Sequence, residues 1–318
     1  MSFTAEVKDE LSRVEGECPD CAIAQLSALI HVCGSLSFSG SGSYAIRIAT
    51  ETGAVARTLV KLTHDILDLE TLLTVRRSRL HKTRNYLIEI PAQRGLEAAL
   101  IRMGIIEPDG GGRSLVAGIS PRIVRRDCCK RAYLRGAFMG GGFIADPRGD
   151  FHLEIAVSTK ELADALIELA SEVGVGARLN HRRGTWAVYL KSFDDINYLL
   201  GAMGATRSVL AVENVRVMKS VKSDVNRLVN AELANQARST GAAADQLALI
   251  RDVEREIGFQ NLPPALERFC RLRRAHPELS LRDLGELSDP PVSKSALYPR
   301  ILRLQAILDD VRGSGRDS

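Results

Sequence analysis

The sequence contains no uninterrupted apolar stretch that approaches the length of a membrane-spanning helix, which is about 20 residues. Six cysteines in 318 residues are too few for the disulfide framework of a small secreted protein. Aromatic residues form only 5% of the chain, so few rings are available to stack on single-stranded bases. The amino-terminal segment carries acidic residues and is not built like a secretory signal. We therefore expect a soluble, cytoplasmic protein that does not contact the membrane.

The remaining composition is that of an ordinary globular protein. Hydrophobic residues make up 45% and charged residues 26% of the chain, whose length allows two or three domains. The net charge is +4 and the isoelectric point is near 8.8. This mild positive balance is compatible with nucleic acid as a partner but does not require one.

An internal duplication organises most of the chain. The stretch R-A-Y-L-R-G-A-F-M-G-G-G-F-I-A-D, from Arg131 to Asp146, aligns with L-S-A-L-I-H-V-C-G, from Leu26 to Gly34, at a constant offset of 108 residues. Ala28 and Gly136 are equivalent under this offset. Each stretch is typical of a helix that ends in glycine before a strand. The small residues predict that the two helices pack closely against each other.

This pattern resembles the LAGLIDADG motif of homing endonucleases, present twice in one chain. The resemblance implies two helices that pack about a pseudo-twofold axis, with an acidic residue just before each final glycine that holds a divalent metal ion. Those two positions are Cys33 and Gly141 here, and neither offers the oxygen ligands that magnesium prefers. We therefore expect the scaffold without its catalytic acids, and no enzyme.

Hydrophobic periodicity predicts the order helix, strand, strand, helix, strand, strand, helix in each copy. The predicted fold class is α+β, with one αββαββα repeat in residues 1–106 and another in residues 115–218. The glycine-rich stretch from Glu107 to Ser114 between them is predicted to be a loop.

The hairpin after the middle helix is basic in both copies. Such tips often carry charge only to protect sheet edges, but agreement between the copies favours accessory nucleic-acid contacts. The residues concerned are Arg76, Arg77, Arg79, Lys82, Arg84, Arg178, Arg182 and Arg183.

The character of the chain changes after Met218. Residues 219–260 are predicted to form a helical linker with a flexible segment at Thr240–Ala244, and residues 261–312 to form an all-α domain of three short helices. Ser280 and Asp283 have the spacing of a capping box, and Ser293 precedes the last helix. This arrangement favours a helix-turn-helix over a plain three-helix bundle.

We expect the first turns of this helix-turn-helix to bind DNA, because serine, lysine and arginine suit phosphates and base edges. The predicted DNA-binding residues are Ser280, Arg282, Ser293, Lys294, Ser295, Tyr298, Arg300 and Arg303. Pro299 cannot donate a hydrogen bond to the Ser295 carbonyl. The last helix therefore either bends at this residue or begins there.

Four cysteines stand at the entrances of the two motif helices: Cys18, Cys21, Cys128 and Cys129. A zinc ion across the pseudo-twofold axis is one interpretation. Vicinal cysteines chelate poorly in a tetrahedron, and the helix entrances are expected to diverge. We therefore favour reduced thiols and predict no metal or other cofactor.

The stretches C-C-K-R-A-Y-L-R-G-A-F-M-G-G-G, N-R-L-V-N-A-E-L-A-N-Q-A and L-S-L-R-D-L-G-E-L-S-D-P-P-V-S-K-S are similar to those of one family, WhiA. The resemblance covers nearly the whole chain. It implies a nucleoid-associated transcription regulator of bacterial sporulation and cell division that binds promoter DNA mainly through its helix-turn-helix and lacks nuclease activity. In actinobacteria it also implies partnership with a WhiB-type iron–sulfur protein. Two alternatives remain: a non-enzymatic scaffold that binds RNA through the paired sheets, and an active homing endonuclease.

Overall fold

The computed structural model describes residues 2–39, 43–77, 84–109 and 112–314. It divides into two compact units, Met1–Lys219 and Ser220–Ser318. Among the described residues, no helix is both long and apolar enough to cross a bilayer.

The first unit contains the two predicted repeats. After the leading helix α1 (Phe3–Leu11), the first repeat comprises α2 (Pro19–Cys33), β1 (Gly34–Ser39), β2 (Ser43–Thr50), α3 (Gly53–Leu67), β3 (Leu72–Arg77), β4 (Arg84–Ile90) and α4 (Leu96–Arg102). A short hairpin of β5 (Ile106–Asp109) and β6 (Gly112–Leu115) follows. The second repeat comprises α5 (Asp127–Gly141), β7 (Gly142–Ile144), β8 (Leu153–Val157), α6 (Lys160–Glu172), β9 (Arg178–Arg182), β10 (Thr185–Leu190) and α7 (Phe193–Met203).

The two repeats have the same sheet topology. The strand orders are β1-β2-β4-β3 and β7-β8-β10-β9, and the neighbouring strands are antiparallel. Buried and partly exposed residues alternate along β8, as expected for a sheet with one face on a core. The predicted duplicated αββαββα architecture is confirmed.

The connection between the repeats is not the predicted loop. Ile106 pairs with Leu115 and Asp109 with Gly112, so the segment forms the β5–β6 hairpin. Ile106 is buried and anchors the first strand in the core. Glycine-rich composition fits a tight hairpin connection as well as it fits an irregular loop, which is why the prediction was wrong here.

Helices α2 and α5 pack against each other more extensively than any other two elements of the described chain. A Cβ atom at Gly136 would lie only 2.3 Å from the carbonyl oxygen of Gln25 and 2.9 Å from Cβ of Ala28. Two helix backbones therefore approach so closely at this point that no side chain fits between them. The close packing predicted from the small residues is confirmed.

The glycines that end the two motif helices share a second steric constraint. A Cβ atom at Gly34 would lie 2.4 Å from the carbonyl oxygen of Ile30, and one at Gly142 would lie 2.3 Å from that of Phe138. Both glycines have extended backbone conformations rather than left-handed ones. The chain can thus turn directly from helix to strand because no Cβ blocks the last helical turn.

The second unit is helical. Helix α8 runs from Thr206 to Glu256, a 3₁₀ turn occupies Phe259–Asn261, and α9 (Pro264–Ala275), α10 (Leu281–Leu287) and α11 (Lys294–Ser314) follow. Its core includes side chains of α8 as well as those of the three later helices: Ile250, Val253, Phe259, Leu266, Phe269, Leu284, Leu297, Leu304 and Leu308.

The prediction of a flexible segment at Thr240–Ala244 is wrong, because α8 continues through these residues without interruption. The alanines there are strong helix formers, and only Gly241 opposes the helix. Ala243 and Gln246 are buried, so packing favours the helix at the same point.

Candidate nucleic-acid interface

Helices α10 and α11 form the predicted helix-turn-helix. Ser280 caps α10: its hydroxyl accepts a hydrogen bond from the Asp283 backbone N–H at 3.3 Å and donates one to Asp283 Oδ2 at 2.8 Å. The Asp283 carboxylate also accepts from the Ser280 backbone N–H at 3.3 Å. The predicted capping box is confirmed, and it fixes the start of α10.

The turn between the two helices depends on Gly285. The Val292 backbone N–H donates to the Gly285 carbonyl at 2.9 Å. A Cβ atom at Gly285 would lie 2.2 Å from the carbonyl oxygen of Val292. Leu284 and Leu297, one from each helix, are both buried in the core beside this contact. The angle between α10 and α11 is therefore set by a backbone contact and a shared core.

Helix α11 begins at Lys294 and contains Pro299 in its second turn. Of the two interpretations of Pro299, the one in which the helix begins at this residue is wrong. The hydroxyls of Ser293 and Ser295 lie 2.8 Å apart just at the helix start. Because proline has no N–H, the helix loses the hydrogen bond to the Ser295 carbonyl.

Part of the predicted set lies together at the start of α11. Lys294, Ser295 and Tyr298 are exposed and line a shallow groove with Arg282 of α10. Arg282 forms an exposed ion pair with Glu286 at 3.2 Å, which contributes little stability and is free to be exchanged for another anion.

Arg300 is not part of this group. It lies six positions after Lys294, which places the two side chains about 120° apart around the helix axis. Arg300 is half-buried and lines a separate concavity with Arg268 and Arg271 of α9. Arg303 is exposed one turn further along. The predicted residues therefore occupy two flanks of α11.

Two residues of α8 that were not predicted line an adjoining concavity, which shares Arg282, Lys294 and Tyr298 with the first and is counted as part of the groove below. Asn235 and Arg238 line it together with Ser280, Lys294 and Tyr298. Arg238 donates to Asn235 Oδ1 at 2.7 Å and to the Ala234 carbonyl at 3.2 Å. The stretch N-R-L-V-N-A-E-L-A-N-Q-A-R is rich in asparagine and arginine, and this was the signal available in the sequence.

A buried arginine supports the helix-turn-helix from behind. Arg273 of α9 is only 1% exposed, and burial lowers its pKa from the ordinary value. Its guanidinium donates to Gln246 Oε1 at 2.9 Å and to the Leu279 carbonyl. Arg273 thereby ties α8 to the segment just before Ser280.

The basic hairpins of the first unit are exposed where they are described. Arg76, Arg77 and Arg84 lie on the β3–β4 hairpin, whereas Arg79 and Lys82 lie outside the described residues. Arg77 and Arg84 are direct cross-strand neighbours. Like charges in this position repel each other, so a bound anion would relieve the repulsion.

The corresponding hairpin of the second repeat carries Arg178, Arg182 and Arg183, all exposed. Arg183 and Gly184 have positive φ values of 51° and 77°, as a two-residue hairpin turn requires. The ring of His181 stacks on Trp186 with centroids 4.1 Å apart. Within the described chain, none of these three arginines forms an ion pair.

The two positions that hold catalytic acids in homing endonucleases are unsuited to a divalent metal ion. A Cβ atom at Gly141 would lie 2.3 Å from the Ala156 carbonyl oxygen, so no acidic side chain fits there. The Cys33 thiol donates to the Leu29 carbonyl at 3.0 Å, and burial raises its pKa to about 11. Lys8 lies nearby, and burial lowers its pKa to about 8. The negative charge of a Cys33 thiolate would raise the pKa of Lys8, but this effect is the smaller one.

The entrances of α2 and α5 do not diverge, contrary to expectation. The Sγ atoms of Cys18, Cys21, Cys128 and Cys129 all lie within 4.8 Å of one another. The reason is the close packing of the two helices, which brings their first turns together.

The duplicated αββαββα unit and the capped helix-turn-helix define a LAGLIDADG-like protein with a carboxy-terminal helix-turn-helix domain. Three family models match consecutive parts of the chain: the WhiA N-terminal LAGLIDADG-like domain at residues 19–106, the WhiA LAGLIDADG-like domain at 130–222 and the WhiA C-terminal HTH domain at 225–308.

Full-length relatives agree with these matches. The probable cell division protein WhiA of Heliobacterium modesticaldum is 39% identical over 312 residues, which are 97% of this chain and 96% of that protein. That of Desulforamulus reducens is 39% identical over 319 residues, with 100% and 98% covered. The crystal structure of full-length DUF199/WhiA from Thermatoga maritima superposes with a TM-score of 0.61 at 25% identity and covers 98% of this chain and 99% of that one. The chain belongs to the WhiA family.

Proposed function

We propose that this protein is a sequence-specific DNA-binding transcription regulator of bacterial cell division and sporulation, without nuclease activity. The observation that carries the proposal is the exposed basic groove at the start of α11, where Arg238, Arg282, Lys294 and Tyr298 come together. The proposed ligand is promoter DNA.

The groove has the chemistry that DNA recognition requires. The amino-terminal end of a helix carries free backbone N–H groups and partial positive charge, both of which favour phosphate. In helix-turn-helix proteins the first residues of the second helix contact base edges in the major groove. We assign Lys294 to a phosphate, and Ser295 and Tyr298 to base edges or the thymine methyl group.

The same argument assigns a supporting role to the first helix of the motif. Ser280 is engaged in the capping box, so its contribution is to fix the start of α10. Arg238 and Arg282 line the same concavity as Lys294 and add to its positive charge. Arg300 and Arg303 lie on the other flank of α11, where they suit the phosphates of the opposite strand.

The absence of nuclease activity in this proposal rests on sterics and charge. Hydrolysis of a phosphodiester by this fold needs carboxylates that hold divalent metal ions. Gly141 leaves no room for a side chain, and the buried Lys8 beside Cys33 would repel a divalent cation. The paired sheets would then serve as an accessory binding surface, with Arg77, Arg84 and Arg178 on their hairpins.

A second candidate is an RNA-binding scaffold that uses this surface. The like-charged Arg77–Arg84 pair favours it, because the pair would be stabilised by any polyanion. Partnership with a WhiB-type iron–sulfur protein also belongs to the proposal, and its support is the family resemblance of the sequence.

Chromatin immunoprecipitation with sequencing tests the proposal most directly. The native chain and a Lys294→Ala variant would be compared in the same cells, with crosslinked RNA sequenced in parallel. A sharp set of peaks that share a sequence motif, reduced in the variant, is expected. Enrichment of RNA without DNA peaks would instead favour the scaffold function, and metal-dependent cleavage of DNA by the purified chain would refute the absence of nuclease activity.

A further inference from the structure

Two helix starts from different repeats meet at four thiols. Cys18 is the N-cap residue of α2 and Cys21 lies in its first turn, while Cys128 and Cys129 lie in the first turn of α5. The sulfur of Cys18 is 3.4 Å from that of Cys21, 3.5 Å from that of Cys128 and 3.7 Å from that of Cys129. No pair of the four is separated by more than 4.8 Å.

The three sulfur–sulfur distances from Cys18 are close to those of a metal ion bound tetrahedrally by four thiolates, and the other pairs lie within 4.8 Å. A zinc–sulfur bond is about 2.3 Å long, which places the sulfurs of a tetrahedral site about 3.8 Å apart. The observed spacing is much longer than the roughly 2.05 Å of a disulfide bond. A multi-iron cluster binds its thiolates through different iron atoms and would hold them farther apart than a single ion does.

Positive charge lies close to the cluster. Neither helix start has a side-chain cap, so the first turns of α2 and α5, which carry the cysteines, keep partial positive charge that would stabilise metal-bound thiolates. The Arg126 guanidinium lies near Cys18 and 3.7 Å from the carboxylate of Asp20. Four thiolates and one divalent ion carry two net negative charges, and Arg126 and the helix ends offset part of them.

Burial favours a closed site rather than a reactive one. Cys21 is 1% and Cys129 is 2% exposed, so neither is available to an external reactant. Cys18 and Cys128 are partly exposed, which gives an ion a path into the site. Four protein ligands leave no open position for a substrate, as in structural zinc sites.

We propose that Cys18, Cys21, Cys128 and Cys129 bind one zinc ion, which fastens the entrance of α2 to the entrance of α5. The ion takes the place of the thiol protons, which are released to solvent when it binds. Since two ligands come from each repeat, binding stabilises the packing between the repeats. By fixing the first turns of α2 and α5 relative to each other, the ion would maintain the close helix contact at Gly136.

The test uses the full chain, purified without chelator and with reductant present. Elemental analysis should give one zinc per chain. After removal of zinc, titration with Co²⁺ should produce the intense visible bands and the thiolate charge-transfer band of tetrahedral tetrathiolate cobalt. Chelation of the native protein should lower the unfolding temperature of the first unit, followed by the fluorescence of Trp186.

Variants at the partly exposed ligands make the test specific. Cys18→Ser and Cys128→Ser should each weaken zinc binding more than about tenfold, because loss of even an outer-sphere partner costs that much. Chelator should then have little further effect on their unfolding temperature. Cys33→Ser, outside the cluster, and Cys270→Ser, in the second unit, should retain one zinc with the native affinity.

Three results would overturn the proposal. The purified native chain could neither contain zinc nor bind Co²⁺ through sulfur, or the Cys18→Ser and Cys128→Ser variants could keep the native zinc affinity. The third such result is a Cys18–Cys21 disulfide that forms in the presence of reductant and leaves the site without metal. If the serine variants do not fold, competition between the native chain and a chelator of known affinity decides the matter. If the chelator removes zinc from the folded native chain as readily as from the unfolded chain, the result counts against the site.

Discussion

The hydroxyl of Tyr133 lies 2.9 Å from Nδ1 of His31, across the interface between the two motif helices. The duplication supplies a counterpart to this contact. Gln25 and Met139 are equivalent to Tyr133 and His31 under the repeat offset, and Gln25 Nε2 lies 3.4 Å from Met139 Sδ. The pseudo-twofold relationship is thus preserved at the level of individual contacts although the chemistry of each contact differs.

The half-buried His31 should make the first unit sensitive to acid. Burial lowers the pKa of His31 to about 4, whereas the unfolded chain has an ordinary value of about 6.5. The neutral folded form therefore contributes stability that is fully present above pH 6.5 and is lost as the pH falls towards 4, by roughly 3 kcal/mol in total. Urea unfolding at several pH values, followed by Trp186 fluorescence, measures this loss.

His31→Gln is the control for this prediction. Glutamine keeps a hydrogen-bonding group for Tyr133 but does not titrate. The difference in free energy of unfolding between the native chain and the variant should shrink between pH 6.5 and pH 4. A difference that is constant over this range would show that His31 does not cause the acid sensitivity.

Gly136→Ala should strongly destabilise the first unit. The added methyl group would meet the Gln25 carbonyl at 2.3 Å, so α2 and α5 would have to move apart and their shared core would loosen. Overpacking of this kind costs about 1–3 kcal/mol or more. The midpoint of urea unfolding by Trp186 fluorescence measures the effect.

Gly176→Ala is the matched control, because a Cβ atom there has no neighbour within 4 Å and the glycine does not have a positive φ. Its unfolding midpoint should stay close to the native value. Equal effects of the two substitutions would mean that the helix contact is less tight than described.

Several features were predictable because they are encoded over a few residues. The capping box of Ser280 and Asp283 and the hairpin turn at Arg183-Gly184 each depend on neighbours in sequence. The small residues of the two motif helices, such as Ala28 and Gly136, also predicted the helix contact. Such features carry their own local physical reason, so one sequence is enough to find them.

Other features depend on contacts that no local pattern reveals. The thiols of Cys18 and Cys128 meet only because α2 and α5 pack side by side, and the sequence alone suggested divergence. Arg238 reaches the groove because α8 continues where a flexible segment was predicted. In both cases the packing of distant segments, rather than local propensity, determines the geometry.

Lys294→Ala should weaken DNA binding evenly across sequences. If Lys294 contacts a phosphate, its removal should lower affinity without changing sequence preference and should reduce the dependence of log Kd on log salt by about one unit. Fluorescence anisotropy with promoter fragments at several salt concentrations measures both quantities.

Arg251→Ala serves as the control for Lys294→Ala, since Arg251 is an exposed arginine of α8 that does not line the groove. It should leave the affinity and the salt dependence nearly unchanged. If the two variants lose affinity equally, the groove is not the binding surface.

Arg300→Ala tests the other flank of α11. If the variant binds DNA with a weaker sequence preference at one base position, Arg300 contacts a base instead of a phosphate.

Pro299→Ala should stabilise α11. Alanine restores the N–H that bonds to the Ser295 carbonyl and removes the steric conflict, and a proline inside a helix costs about 3 kcal/mol. Hydrogen exchange of the amides of α11 should slow down, which mass spectrometry of peptides from this helix can follow. Faster exchange, or loss of the helix, would show that the fold of the second unit is adapted to the proline.

The close packing of α2 and α5 at Gly136 also determines whether one repeat can exist as a monomer without the other. A single core contains side chains of both repeats, from Val7 in α1 to Val212 in α8. Residues of the first repeat alone would leave the apolar face of α2 exposed, including Ala28 and Leu29, which are fully buried in the intact unit. Such a face is complementary to a pseudosymmetric copy of itself, so a separated repeat would either self-associate as an isologous dimer or aggregate.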